Sequence, residues 1–138
     1  RRERERVSPY DFLCFVLTDD RERLYRRIDA RVDRMLSGGL LEEVRGLKQS
    51  FWQGAPAASF TAAQGIGYKQ LLMYLDGEIS YEEAVERIKR DSRHFAKRQL
   101  TWFRREKDVL WLSREDYPSQ EELLAEALRV IHECWFEK

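Results

Sequence analysis

"DDRERLYRRIDARVDRMLSGGLLEEVRGLKQSF", residues 19–51, carries two helical periods separated by a pair of glycines. Leu24, Ile28, Val32 and Met35 recur at spacings of three and four, which gathers them on one side of a helix. Asp19 followed by Glu22 has the spacing of a capping box, and Gly38-Gly39 ends the run. Leu40, Leu41, Val44, Leu47 and Phe51 repeat the pattern over residues 40–51, so the stretch reads as an αα-hairpin turning at the glycines.

On the N-terminal side, "YDFLCFVLTDD" (10–20) is a short apolar run closed by acids, as expected of a buried strand. On the other side, "WQGAPAASFTAAQGIGYKQ" (52–70) is poor in charge, rich in Ala and Gly, and aperiodic; it reads as a loop. A loop of that length in a compact chain is functional or disordered. Helical spacing resumes in "YKQLLMYLDG" and again from Ser80, where Ser80 and Glu83 make a second capping box. Ala84, Val85, Ile88, Phe95 and either Gln99 or Trp102 fall on the inner side of that helix. "DVLWLS" (108–113) reads as a second strand, and Ser119 with Glu122 caps a last helix whose Leu123, Leu124, Ala127, Leu128 and Ile131 face inward.

The 138 residues, 43% of them hydrophobic, suffice for one respectable core, so a single domain over 1–138 is expected, with residues 1–9 flexible. The fold class is mainly α, a helical body with two short strands. Such strands pair with something outside this sequence, or else lie together as a minor pair on the helices.

Net charge is zero, but its distribution is uneven. Residues 87–107 hold nine Lys or Arg against Asp91 and Glu106, whereas residues 108–138 hold eight acids against three bases. A basic helix followed by an acidic tail suggests a face for a polyanion, although a merely solvated helix accounts for the composition equally well. Cys14 and Cys134 form no CxxC or metal-ligand spacing, and two histidines argue no zinc site. No apolar run approaches the ~20 residues that span a bilayer. The expected setting is a reducing cytoplasm without membrane contact.

On the basic helix, Arg90, Arg93, Lys97, Thr101 and Arg104 form one stripe, a spacing suited to nucleic-acid phosphates. Trp102 and Phe103 offer π-faces for unstacked bases, or else anchor the helix in the core. In "QGIGYKQ" (64–70), Gly65 and Gly67 let backbone approach a ligand just before a helix start, with Lys69 in its first turn. This is neither GxGxxG nor a P-loop, since no Gly-Lys-Ser/Thr occurs in the chain. Arg27, Arg31 and Arg34 share a face of the first helix; salt bridges to Asp29 or Asp33 are the readier explanation for most of its arginines.

Three stretches, "LYRRIDARVDRMLSGGLLEEVRGL", "AAQGIGYKQLLMYLDGEISYEEAVERIKRDSRHFAKRQLTWFRRE" and "VLWL", together resemble the C-terminal part of bacterial tRNA dimethylallyltransferases, with order and spacing kept over roughly residues 12–113. The resemblance implies a P-loop-like α/β enzyme with a helical insertion. It would use Mg²⁺ to transfer a dimethylallyl group from dimethylallyl diphosphate to the exocyclic amine of the adenine 3′ of the anticodon, in tRNAs reading U-initial codons. It further implies that Gln64, Gly65, Ile66, Gly67, Tyr68 and Lys69 contact the anticodon loop. Lys97, Arg98, Gln99, Thr101, Trp102 and Arg104, within "KRQLTWFR", match a second tRNA-contacting stretch. Arg31 matches a family arginine needed for activity, where a guanidinium would either offset charge on the leaving diphosphate or grip a tRNA phosphate.

The family's phosphate loop, its general-base aspartate and most of the sheet have no counterpart here. The chain thus looks like the last two fifths of such an enzyme, lacking the N-terminal phosphate-loop half. Alone it is expected to bind neither Mg²⁺ nor the prenyl donor productively, and to be a monomer inactive in prenyl transfer. The competing reading is an autonomous, non-catalytic helical RNA-binding module. A third, an interaction domain using the acidic last helix, predicts no tRNA affinity.

Overall fold

The computed structural model describes residues 11–50 and 61–136; residues 1–9, Phe51 and the first part of the 52–70 loop lie outside it. In chain order the elements are β1 (Cys14–Thr18), α1 (Arg21–Ser37), α2 (Leu40–Ser50), α3 (Tyr68–Leu75), α4 (Tyr81–Phe103), β2 (Val109–Ser113) and α5 (Gln120–Phe136). Single 3₁₀ turns at Ala62–Gln64 and Arg114–Asp116 precede α3 and α5. The fold is mainly helical, as the periodicity predicts, and packing divides it into two units, residues 21–101 and residues 1–20 with 102–138.

The helical unit is built on the αα-hairpin. Gly39, at φ +100, turns the chain between α1 and α2 in a backbone region that residues with a Cβ rarely enter. Val32 of α1, Leu40 and Val44 of α2, Ala63, Leu71 and Leu72 of α3, and Ile88 of α4 form one buried cluster. Val44 and Leu71 are its most enclosed large side chains, each contributing about 1.5–3 kcal/mol of apolar burial. Ser80 Oγ accepts the N–H of Glu83 at 3.1 Å and so caps α4. Met35 and Phe95, expected on inner sides, are 40% and 46% exposed because both border an open groove.

In the other unit β1 and β2 pair in parallel, in the register Cys14↔Val109 to Thr18↔Ser113. Of the two arrangements open from the sequence, the minor strand pair is the one formed. Only Val16 and Leu112 within it are buried. Ser119 Oγ accepts the N–H of Glu122 at 3.2 Å and caps α5. The expectation for α5 needs correction, since Leu124 and Leu128 are more than half exposed; the apolar periodicity there gives one stripe, and no described residue covers that part of it.

Candidate nucleic-acid interface

Two ion pairs bind α1 to α4. Arg93 Nη1 donates to both carboxylate oxygens of Asp29, at 2.6 and 2.8 Å, and Lys89 Nζ lies 2.7 Å from Asp33 Oδ1. The hydrogen bond to Asp33 holds the Lys89 ammonium above its usual pKa, against the opposing effect of burial. Asp29 and Asp33 of α1 are therefore engaged by cations of α4, a pairing that residues more than fifty positions apart do not announce in sequence.

The glycine loop is held from both sides. Gly67 is buried at φ +101 and stands at the N-cap of α3, where its N–H donates to Gln70 Oε1 at 2.9 Å. Gln70 is only 4% exposed and donates in turn from Nε2 to Asp91 Oδ2 of α4 at 2.8 Å. The Tyr68 hydroxyl donates to Glu43 of α2, which raises the phenol pKa above its ordinary value. These anchors leave Gln64, Gly65 and Lys69 exposed, together with the Ile66 side chain. Sequence pattern alone misses Gln70. Its signal is a polar residue beside Leu71 on the buried side of α3, where an amide must find partners.

Between α1, the glycine loop and α4 lies a groove of about 520 Å³. Its floor is apolar, with Leu24, Ile66 and Phe95 among the lining residues, while Arg31 and Gln99 bring polar groups to it. Arg31, Ile66, Gly67 and Gln99, drawn from three separated stretches, thus meet at one place. An apolar cleft with a few convergent polar groups is the usual form of a ligand site.

The predicted stripe on α4 lies elsewhere. At 3.6 residues per turn, Lys97 sits roughly 160–200° around the helix from Phe95 and Gln99, so stripe and groove occupy opposite sides. Within the stripe Arg93 is committed to Asp29, and Arg90 Nε reaches Asp91 at 3.5 Å. Lys97 is exposed and makes no ion pair with a described residue, Thr101 Oγ1 donates to the Lys97 carbonyl at 2.9 Å, and the Arg98 guanidinium lies 5.8 Å over the Phe95 ring. The helix stops at Phe103, so Arg104 stands in the following turn and drops out of the stripe. Trp102 is 55% exposed and packs edge-on against the half-buried Phe103, centroids 4.9 Å apart. The tryptophan thus keeps an open face, while the phenylalanine serves as its support.

Among the described residues no group of three or more His, Cys, Asp or Glu is placed to hold a metal ion, and no helix is long and apolar enough to cross a membrane.

Comparison with known proteins shows the family of the chain. The family model "IPP transferase" matches residues 1–106. A tRNA dimethylallyltransferase of Lachnoclostridium phytofermentans is 50% identical over 131 residues, covering 95% of this chain and 41% of the relative. One from Clostridioides difficile is 48% identical over 122 residues, covering 88% and 38%. Among solved structures, the full-length tRNA isopentenylpyrophosphate transferase of Bacillus halodurans superposes with a TM-score of 0.79 at 37% identity, over 90% of this chain and 39% of that one. The corresponding enzyme of Staphylococcus epidermidis gives 0.75 at 40%, over 88% and 38%. The chain spans about two fifths of the length of these relatives.

Proposed function

The chain belongs to the IPP transferase family, and we propose that it supplies the tRNA-binding part of a tRNA dimethylallyltransferase. The reaction joins N6 of the adenine 3′ of the anticodon to C1 of dimethylallyl diphosphate. The new N–C bond forms as the C–O bond to diphosphate breaks, the diphosphate leaves with the electron pair, and the amine loses a proton. Chemistry on that amine requires the adenine to leave its stack.

The observation that carries this reading is the convergence of Arg31, Ile66, Gly67 and Gln99 on one groove. Its apolar floor suits a flat base or a short prenyl chain, and Gln99 offers both a donor and an acceptor to a base edge. Arg31 is exposed at the groove and places a permanent cation where an anion passes, whether diphosphate or tRNA phosphate. Gly67 brings backbone close without a side chain in the way. Arg98, over the groove-lining Phe95, extends the RNA contact beyond the groove, and Lys97 offers a separate cation on the far side of α4, on a cytoplasmic enzyme with tRNA and prenyl donor as substrates. The phosphate loop, the general base and the Mg²⁺ ligands come from sequence that this chain does not contain.

The test fuses this chain to the portion of the Lachnoclostridium relative that it does not match, and follows transfer of labelled dimethylallyl to unmodified tRNA. Transfer is expected from the fusion and not from either part alone, and Arg31→Gln in the fusion lowers turnover without lowering Tm. RNA binding with no transfer in any such fusion refutes the proposal in favour of a non-catalytic RNA-binding module.

A further inference from the structure

Ser92 stands midway along α4, half-buried, in the lining of the groove. A hydroxyl inside a helix often turns back to a carbonyl of the preceding turn. Ser37, Ser50 and Thr101 all do so, donating to the carbonyls of Arg34, Gly46 and Lys97 at 3.1, 2.7 and 2.9 Å. Ser92 does not: its hydroxyl makes no hydrogen bond with a described residue, and its oxygen is open to the groove. Alanine, which stands one turn on at Ala96, is the better helix former, so a serine here does nothing for the helix.

The packing of α4 on α1 sets what faces this hydroxyl. Arg93 pairs with Asp29 and Lys89 with Asp33, so the two helices run antiparallel with these residues level. Arg31 falls midway between the two acids and Ser92 falls between the two cations, which puts Arg31 and Ser92 at about the same height, one on each helix, at the same groove. Arg31 is exposed and makes no ion pair with a described residue. Gln99 lies two turns further along α4, about 10 Å away, with Ile28, Phe95 and Ala96 of the lining between it and this pair.

We propose that Ser92 is a further ligand-binding residue of the groove, whose hydroxyl donates to an oxygen of the phosphoryl group that Arg31 neutralises. The inference rests on the reading of the groove as a substrate site for prenyl transfer to tRNA, where the RNA backbone and the diphosphate both carry such a group. The two side chains do different work: the guanidinium supplies charge, and the hydroxyl supplies one directed donor that fixes the group's orientation. Because serine is neutral, its loss weakens binding without changing how binding responds to salt.

The experiment uses the whole 138-residue chain and two probes. A synthetic RNA stem-loop of anticodon sequence is followed by fluorescence anisotropy across a salt series, and inorganic diphosphate by calorimetry. Ser92→Ala is expected to weaken binding about tenfold, as for one hydrogen bond to a charged group, with the Tm and the slope of log K against log salt unchanged. Ser92→Thr keeps the hydroxyl and is expected to stay within about twofold of the parent. Arg31→Gln lowers the slope for RNA by about 0.7–0.9, and adding Ser92→Ala to it costs no more than about threefold further, since both residues hold one group. A loss confined to RNA assigns that group to the backbone, and a loss confined to diphosphate assigns it to the prenyl donor. If the parent binds RNA and Ser92→Ala weakens neither probe, the proposal is overturned and the RNA-binding reading stands. A Tm that falls in step with affinity, a threonine variant as weak as the alanine one, or losses that multiply in the double variant overturn it equally. A parent chain that binds neither probe overturns both the proposal and the reading beneath it.

Discussion

Replacing Gln70 by leucine tests how the glycine loop is held at the groove. The side chain is buried and makes two bonds, accepting from Gly67 N–H at 2.9 Å and donating to the Asp91 carboxylate at 2.8 Å. A neutral bond is worth about 1 kcal/mol and one to a charged group about 1.5–3 kcal/mol, so the pair amounts to about 2.5–4 kcal/mol. Leucine is similar in size and its extra apolar burial returns about 1 kcal/mol, leaving a net loss of about 1.5–3 kcal/mol. With a urea slope of about 2 kcal/mol/M, the unfolding midpoint should fall by roughly 0.7–1.5 M, and the Gly67 amide should lose its protection from hydrogen exchange. Gln70→Glu adds a second arm: it places a carboxylate against Asp91, raising the pKa of the introduced group. The resulting penalty is absent below the ordinary glutamate pKa of about 4.3 and grows as pH rises from there to the raised value. A leucine variant whose midpoint stays within about 0.3 M of the parent, with Gly67 still protected, would refute the clamp.

Arg93→Ala should lower stability by about 1–2 kcal/mol in thermal unfolding, a figure discounted because the Asp29 pair is about a third exposed; Lys97→Gln should change stability by less than about 0.5 kcal/mol and weaken only RNA binding. Gly67→Ala should cost about 1–2 kcal/mol in the same assay through its φ of +101, not through a clash, since the new Cβ would sit 3.7 Å from Leu40 Cδ2; a neutral result would show that the loop has another conformation open to it. The Tyr68 tether should be fully present below pH ~10 and be lost as pH rises through the raised phenol pKa. A tyrosine absorbance titration compared with Tyr68→Phe checks it, and an unshifted Tyr68 contradicts the bond to Glu43.

The helices were legible because their signals are local. Leu24, Ile28 and Val32 repeat at 3.6, Gly38-Gly39 punctuates, and Ser80 and Ser119 cap where the spacing places them. Arg93 shows where that reading stops. Its position on a basic stripe is visible in the sequence, but whether its charge is offered to solvent depends on Asp29, which lies 64 residues away. The groove has the same origin, because Arg31, Ile66 and Gln99 become neighbours only through the packing of α1, α3 and α4. Gln70 and the strand pairing likewise depend on partners distant in the chain. Local pattern also misjudged Leu124 and Leu128, since a stripe indicates that a face wants cover without saying what covers it.

The parallel register of β1 and β2 has a kinetic consequence. Cys14 meets Val109, so about 95 residues must be looped before the first strand gains its mate, at an entropic cost near 4 kcal/mol plus a constant. The contacts of residues 21–101 can form before β2 has been made, whereas no ladder bond can form without residues 109–113. As the polypeptide leaves the ribosome, residues 21–101 emerge complete while β1 still waits, and the ladder closes last.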